Sequence, residues 1–145
     1  MRQRGFTILE IIVVLVIGAM AYAVILDVPF RGPSTQELKG AARTLASGLR
    51  QAQSMAMATK RDATLTLDLD AREFEVSGAQ GIRALPKELD LQLYTAQSEA
   101  LSERKGAIRF YPDGSSTGGR ITVAAGERKF LVDVDWLTGR VSIDD

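Results

Sequence analysis

Gly5-Phe6-Thr7-Ile8-Leu9-Glu10, followed by an uncharged and largely apolar run from Ile11 to Leu26, is the stretch around which this 145-residue chain is organised. Arg2 and Arg4 precede it, and from Phe6 to Leu26 Glu10 is the only charged side chain. As a helix rising about 1.5 Å per residue, the segment is roughly 30 Å long, the hydrocarbon thickness of a bilayer. The chain therefore divides into a basic leader (1–5), a transmembrane or assembly helix (6–28) and a globular remainder. A carboxylate at the bilayer centre costs about 2.5–3.5 kcal/mol on insertion scales, so an acid in such a segment marks a partner or a function. Glu10 lies one helical turn inside the segment, where it could partly reach the interface but is better satisfied by a cation. If the leader were cut between Gly5 and Phe6, the new α-amino group at Phe6 would be such a cation. In a bundle of these helices, Glu10 of one subunit would pair with the amino terminus of a neighbour, favouring assembly and helping to set its axial register.

Two other readings of the stretch stay open at this level. Ala19-Met20-Ala21 and Ala21-Tyr22-Ala23 both fit the small-x-small pattern of an ordinary signal peptide, although Glu10 interrupts the junction of its basic and apolar regions and the run is long. In a generic signal anchor, Glu10 is a tolerated acid near the interface. In the anchored readings Arg2 and Arg4 favour a cytoplasmic N-terminus, with the rest of the chain on the other side.

The remainder is one domain's worth of chain. Basic and acidic residues balance at 18 each, and loss of Arg2 and Arg4 with a leader would leave 16 against 18, a net charge of −2. Neither figure suggests a polyanion partner. There is no cysteine, so stability does not depend on disulfides, and no histidine, which removes the commonest metal ligand and general base. Two prolines and a glycine between Pro29 and Pro33 predict a break or kink at 29–34. Ser34-Thr35-Gln36-Glu37 then matches a capping box, and Leu38, Ala41, Ala42, Leu45, Leu49, Ala52, Met55 and Ala56 form one apolar stripe. This predicts an amphipathic helix over 35–59, whose small residues would let a sheet pack closely. Beyond Arg61 the period changes to 2. Ala63–Leu69, Phe74–Val76, Leu89–Leu93, Ile108–Tyr111, a segment around Ile121 and Val123, Phe130–Val134 and Val141–Ile143 read as strands, with 95–105 as an exposed loop. Glu127-Arg128 reads as a hairpin turn. A helix followed by antiparallel strands is an α+β domain, occupying 35–145.

Gly-Phe-Thr-Ile-Leu-Glu ahead of an apolar helix resembles the class III signal of type IV pilins and type II secretion pseudopilins. Further on, Arg109-Phe110-Tyr111-Pro112-Asp113-Gly114-Ser115-Ser116-Thr117-Gly118-Gly119 and Val134-Asp135-Trp136-Leu137-Thr138-Gly139-Arg140-Val141 are similar to segments of the GspH branch of the GspH/FimT family, the H-type minor pseudopilins. Residues 70–105 carry no motif of the family. The resemblance implies a pilin-like α+β fold, with a long N-terminal helix, half membrane and half amphipathic, packed on antiparallel sheet. It implies cleavage between Gly5 and Phe6 by a prepilin peptidase on the cytoplasmic side, and N-methylation of Phe6. It further implies a single-pass inner-membrane protein with a periplasmic globular domain. Its partners would be the major pseudopilin and the I-, J- and K-type minor pseudopilins, in a fibre that drives folded proteins through the outer membrane. Glu10 is the candidate assembly residue.

Nothing in the chain composes a catalytic centre, and no cofactor, metal site or enzymatic activity is expected. Asp133 and Asp135 share a face of a strand and suit the solvent side of an edge strand better than an ion site; Asp68 and Asp70 read the same way. The turn from Pro112 to Gly119 lacks the lysine of a phosphate loop and reads as a long hairpin loop. Serines without His or Cys cannot form a conventional hydrolytic constellation. Trp136 is expected to pack in the core or at its rim. The alternative function is that of a FimT-like minor type IV pilin serving pilus assembly or DNA uptake, which would need a basic surface. Arg104, Lys105, Arg120, Arg128 and Lys129 are the cations that would form it, but Arg140 is followed by Asp144 and Asp145, and nucleic acid is not expected as a partner.

Overall fold

The structure, a computed structural model, describes residues 6–26 and 32–145. The leader 1–5 and residues 29–31 of the expected break at 29–34 lie outside the described residues. The chain forms two compact units, Met1–Arg31 and Gly32–Asp145.

In the first unit, α1 runs from Ile8 to Leu26. Its start is set by Thr7, whose carbonyl accepts from Ile11 N–H and whose hydroxyl accepts from Glu10 N–H at 3.2 Å, so two first-turn donors find partners. The 19 residues rise about 28 Å. Among the described residues no helix is long and apolar enough to cross a membrane, and the expected segment 6–28 runs past the described part of this unit.

In the second unit, α2 spans Thr35–Thr59. Its capping box is complete: Glu37 N–H donates to Ser34 Oγ at 3.2 Å, and Ser34 N–H donates to Glu37 Oε2 at 2.7 Å. Those bonds to Ser34 also hold the Glu37 carboxyl below the usual carboxylate range. Leu38, Ala41, Ala42, Leu45, Ala46, Gly48, Leu49, Ala52 and Ala56 form the buried stripe, two-thirds of it alanine or glycine, so the sheets approach the helix closely.

The strands are β1 (Ala63–Asp68), β2 (Glu73–Val76), β3 (Arg83–Ala84), β4 (Asp90–Thr95), β5 (Ala100–Ser102), β6 (Lys105–Phe110), β7 (Gly119–Ala125), β8 (Arg128–Val134) and β9 (Val141–Asp144). They build two antiparallel sheets, one of order β3-β2-β1-β6-β5 and one of order β4-β7-β8-β9. The chain therefore passes between the sheets three times, after β3, β4 and β6. Period-2 burial puts Leu65 and Leu67 of β1, Phe74 of β2, Ile108 and Phe110 of β6, Ile121 and Val123 of β7 and Val132 of β8 against the α2 stripe in one core. All of that core lies between Leu38 and Val141, so the second unit carries its own.

Several expectations are corrected. Residues 95–105 are not an exposed loop: Gln97–Glu99 forms a 3-10 turn and Ala100–Ser102 pairs with β6. Glu99 is buried there and holds Arg109 in a two-pronged pair, Oε1 to Nε at 2.9 Å and Oε2 to Nη2 at 3.2 Å. The hydrogen bonds to Glu99 raise the Arg109 pKa above its ordinary value. A polar sequence with a three-residue strand carries no period to read, and the pair joins residues ten apart. The segment 112–119 is not a hairpin loop either, because β6 and β7 belong to different sheets. At the β7–β8 turn, Gly126 and Glu127 form the turn and Arg128 opens the strand.

Glu99→Ala is expected to cost about 1–2 kcal/mol, because it leaves the half-buried Arg109 with only Asp62, at 3.6 Å. The partial exposure of Arg109 keeps the loss below that of a fully buried pair. An unchanged urea midpoint would show that the pair does not hold the 95–105 segment in place.

Candidate assembly site

Apolar side chains lie on every side of α1, from Ile8 through Tyr22, and they are exposed. A helix apolar all round is stable only where its whole surface is covered, in a membrane or in a bundle. Phe6, 80% exposed, precedes its first turn. Glu10 is the third helical residue, and among the described residues its carboxylate enters no ion pair. A carboxylate in the first turn also faces the positive end of its own helix dipole. The spacing Thr7-x-x-Glu10 is that of a capping box, a sequence signal for the start of this helix. Only the half made by Thr7 forms among the described residues, whereas the equivalent pair in α2 is reciprocal. Gly5 lies outside the described residues.

The other candidate residues are occupied by structural work. Asp68 Oδ1 accepts from the Asp70 and Ala71 N–H groups to close the β1–β2 turn, and Asp70 pairs with Arg104 at 2.6 Å. Asp133 lies on β8, which is not an edge strand as expected but sits between β7 and β9; it pairs with Arg120 at 2.5 Å. Asp135 lies past the strand and caps a turn, where the bonds from Thr138 lower its pKa. Among the described residues no group of His, Cys, Asp and Glu could hold a metal ion. The glycine-rich segment offers no anion cradle. Its N–H groups from Gly114 to Gly118 donate in turn to Tyr111 O, Asp113 Oδ1, Trp136 O, Arg109 O and Ser116 Oγ. The cations of the alternative reading are dispersed as well. Arg104 and Arg120 are paired with acids, Lys105 lies 3.9 Å from Asp68, and Arg128 donates to Thr35 Oγ1. Trp136, expected in the core or at its rim, is 66% exposed.

An apolar helix with one early acid, joined in sequence to a helix on two antiparallel sheets, defines the pilin-like class. Within that class the chain belongs to the GspH family: residues 41–138 match the family described as type II transport protein GspH. Residues 1–26 match the prokaryotic N-terminal methylation motif. The type II secretion system protein H of Xanthomonas campestris pv. campestris is 31% identical over 138 residues, covering 95% of this chain and 81% of that protein. Two solved structures share the fold at low identity. The minor pseudopilin EpsH of Vibrio cholerae superposes with a TM-score of 0.59 at 13% identity, over 74% of this chain and 96% of that one. The type IV minor pilin FimU of Pseudomonas aeruginosa gives 0.56 at 14% identity, over 74% and 92%.

Proposed function

We propose that this chain is a minor pseudopilin, a structural subunit of the periplasmic fibre of a type II secretion system. The observation that carries the reading is α1: apolar on every side, exposed, and charged only at Glu10. Membership of the GspH family and the methylation motif at 1–26 support it. On this reading a prepilin peptidase cuts between Gly5 and Phe6, Phe6 is N-methylated, and α1 lies in the inner membrane until it enters the bundle. The domain Gly32–Asp145 stays in the periplasm, and the major and the I-, J- and K-type pseudopilins are the neighbours. Glu10 pairs with the amino terminus of the adjacent subunit. The alternative, a DNA-binding minor pilin, has no comparable support, because its cations are spread over both sheets and largely held by acids.

Glu10→Ala is expected to insert in the membrane like the native chain but to crosslink to neighbouring pseudopilins at least about tenfold less. Removing one member of a desolvated charge pair leaves the other unpaired. Undiminished crosslinking would sink the pairing. Intact mass and N-terminal sequencing after expression with a prepilin peptidase tests the processing step. An N-terminus at Tyr22 or Val24 in place of methylated Phe6 would overturn the whole reading.

A further inference from the structure

We infer that residues 96–103 form a strap that opens without the rest of the domain, and that Arg109 is its latch. The guanidinium holds Glu99 when the strap is closed and passes to Asp62 when it is open. The inference concerns the Gly32–Asp145 unit alone and goes beyond the fibre reading.

The strap is fastened at its two ends and loosely held between them. At the start Thr95 Oγ1 donates to Ala107 O at 2.5 Å, and at the far end Leu69 N–H donates to Arg104 O at 2.8 Å. From Gln97 to Arg104 every residue except Glu99 is exposed, Leu101 at 62%. β5 meets β6 at only two positions, Ala100 with Gly106 and Ser102 with Lys105, and the register shifts between them. An open groove of about 230 Å³, lined by Leu69, Leu93, Thr95, Ala100, Ser102 and Gly106, lies between the strap and β4. Few buried apolar contacts and a short, irregular ladder mark a segment that opens locally.

β6 keeps most of its bonds without the strap. Ala107 O is already taken by Thr95 Oγ1, Arg109 N–H donates to Thr117 Oγ1 at 3.1 Å, and Arg109 O accepts from Thr117 N–H at 2.9 Å. Opening therefore costs β6 only what β5 supplies at Lys105 and Gly106, and water replaces it there.

The ion pair decides which state is held. Glu99 is the one buried residue of the strap, and its carboxylate grips Arg109 with both oxygens. Lifting the strap returns that carboxylate to water but would strand the guanidinium, which is only 35% exposed. A second acid is in place to take it. Asp62 Oδ2 stands 3.6 Å from Arg109 Nη1, and among the described residues Asp62 has no other ion pair. Once Glu99 leaves, Asp62 can close on the guanidinium. Two acids sharing one arginine give the strap two satisfied states, the condition for a segment that moves between them.

Hydrogen exchange of the full chain in phosphatidylcholine nanodiscs tests this, comparing peptides over 96–104 with those of β7 at low urea concentrations. Strap amides should be at least about tenfold less protected than β7 amides, with little urea dependence, because so small an opening exposes little surface. Glu99→Gln should speed strap exchange about tenfold. Asp62→Asn separates a latch from a plain surface pair. It removes the partner of the open state, so it should slow strap exchange several-fold while β7 exchange is not slowed. If Asp62 merely stabilised the closed domain, exchange would rise in both. Strap amides that follow β7 in protection and urea dependence would overturn the strap. Strap amides without protection in the unaltered chain would overturn the latch, and so would Asp62→Asn that fails to slow them.

Discussion

Gly139→Ala is expected to destabilise the Gly32–Asp145 unit by more than about 3 kcal/mol, a large part of the stability of a domain of this size. Gly139 sits at φ 66°, where a residue with a Cβ costs roughly 1–2 kcal/mol. Sterics then add to the strain. A Cβ at 139 would fall on the Gly114 carbonyl oxygen, well inside contact, and on the Gln53 amide that bridges the two turns. A carbonyl oxygen belongs to the backbone and cannot rotate away, so the substitution has to part the turns and break the Gln53 bridge. Gly126→Ala separates the two effects. It shares the left-handed backbone, at φ 61°, but has nothing within 4 Å of the new Cβ, and should cost only about 1 kcal/mol. Urea unfolding of both variants decides the matter. Equal losses would mean that backbone strain alone matters and that the close approach of the two turns does not.

Phe74→Ala is the second large effect, expected at about 3–5 kcal/mol. Phe74 is 1% exposed, and its ring lies against α2 where residue 48 has no side chain. A Cβ on Gly48 would stand 2.6 Å from Phe74 Cε2 and 3.0 Å from Leu65 Cδ1. Gly48→Ala alone therefore sets a helix-propensity gain of about 1 kcal/mol against an overpacked ring and should be destabilising on balance. In the Phe74→Ala background the ring contacts are gone and only Leu65 Cδ1, the end of a flexible side chain, stays close, so Gly48→Ala should become stabilising. The cycle should then show a coupling above about 1 kcal/mol between the two sites. Additive effects would mean that the ring and the helix do not touch as described.

The parts of this fold that could be read from the sequence were those with a period or a cap. The α2 stripe repeats every three or four residues, and Ser34 with Glu37 spells out its start. Leu65 and Leu67, or Phe130, Val132 and Val134, announce their strands by alternation alone. What could not be read was assignment of strands to sheets, because β6 and β7 alternate identically whether a hairpin or a crossing joins them. Glu99 was missed for a different reason. Its partner Arg109 reaches it from strand β6, and no local pattern encodes that. At the amino terminus, Phe6 and Glu10 were legible because an acid in an apolar helix is costly enough to stand out. Thr7, whose cap is an ordinary hydrogen bond, was not noticed. Trp136 shows the limit from the other side: an aromatic in a β-rich domain is expected inside, and only the hydrogen bonds of its turn explain why it is held outside.

The three passages of the chain between the sheets have a consequence for the order in which the domain can form during synthesis. Each sheet mixes early and late segments, and α2, the first element of the unit, is met by the last: Arg50 Nη2 donates to Val141 O across 91 residues of sequence. Among the described residues no strand of the second sheet precedes Asp90, and its last strand, β9, begins only at Val141. A nascent chain therefore holds an amphipathic helix and half a core that nothing yet covers. Contacts this distant in sequence make folding slow and late. The domain can close only after β9 has been made, and until then the alanine-rich face of α2 is open to any chaperone or neighbouring chain that reaches it first.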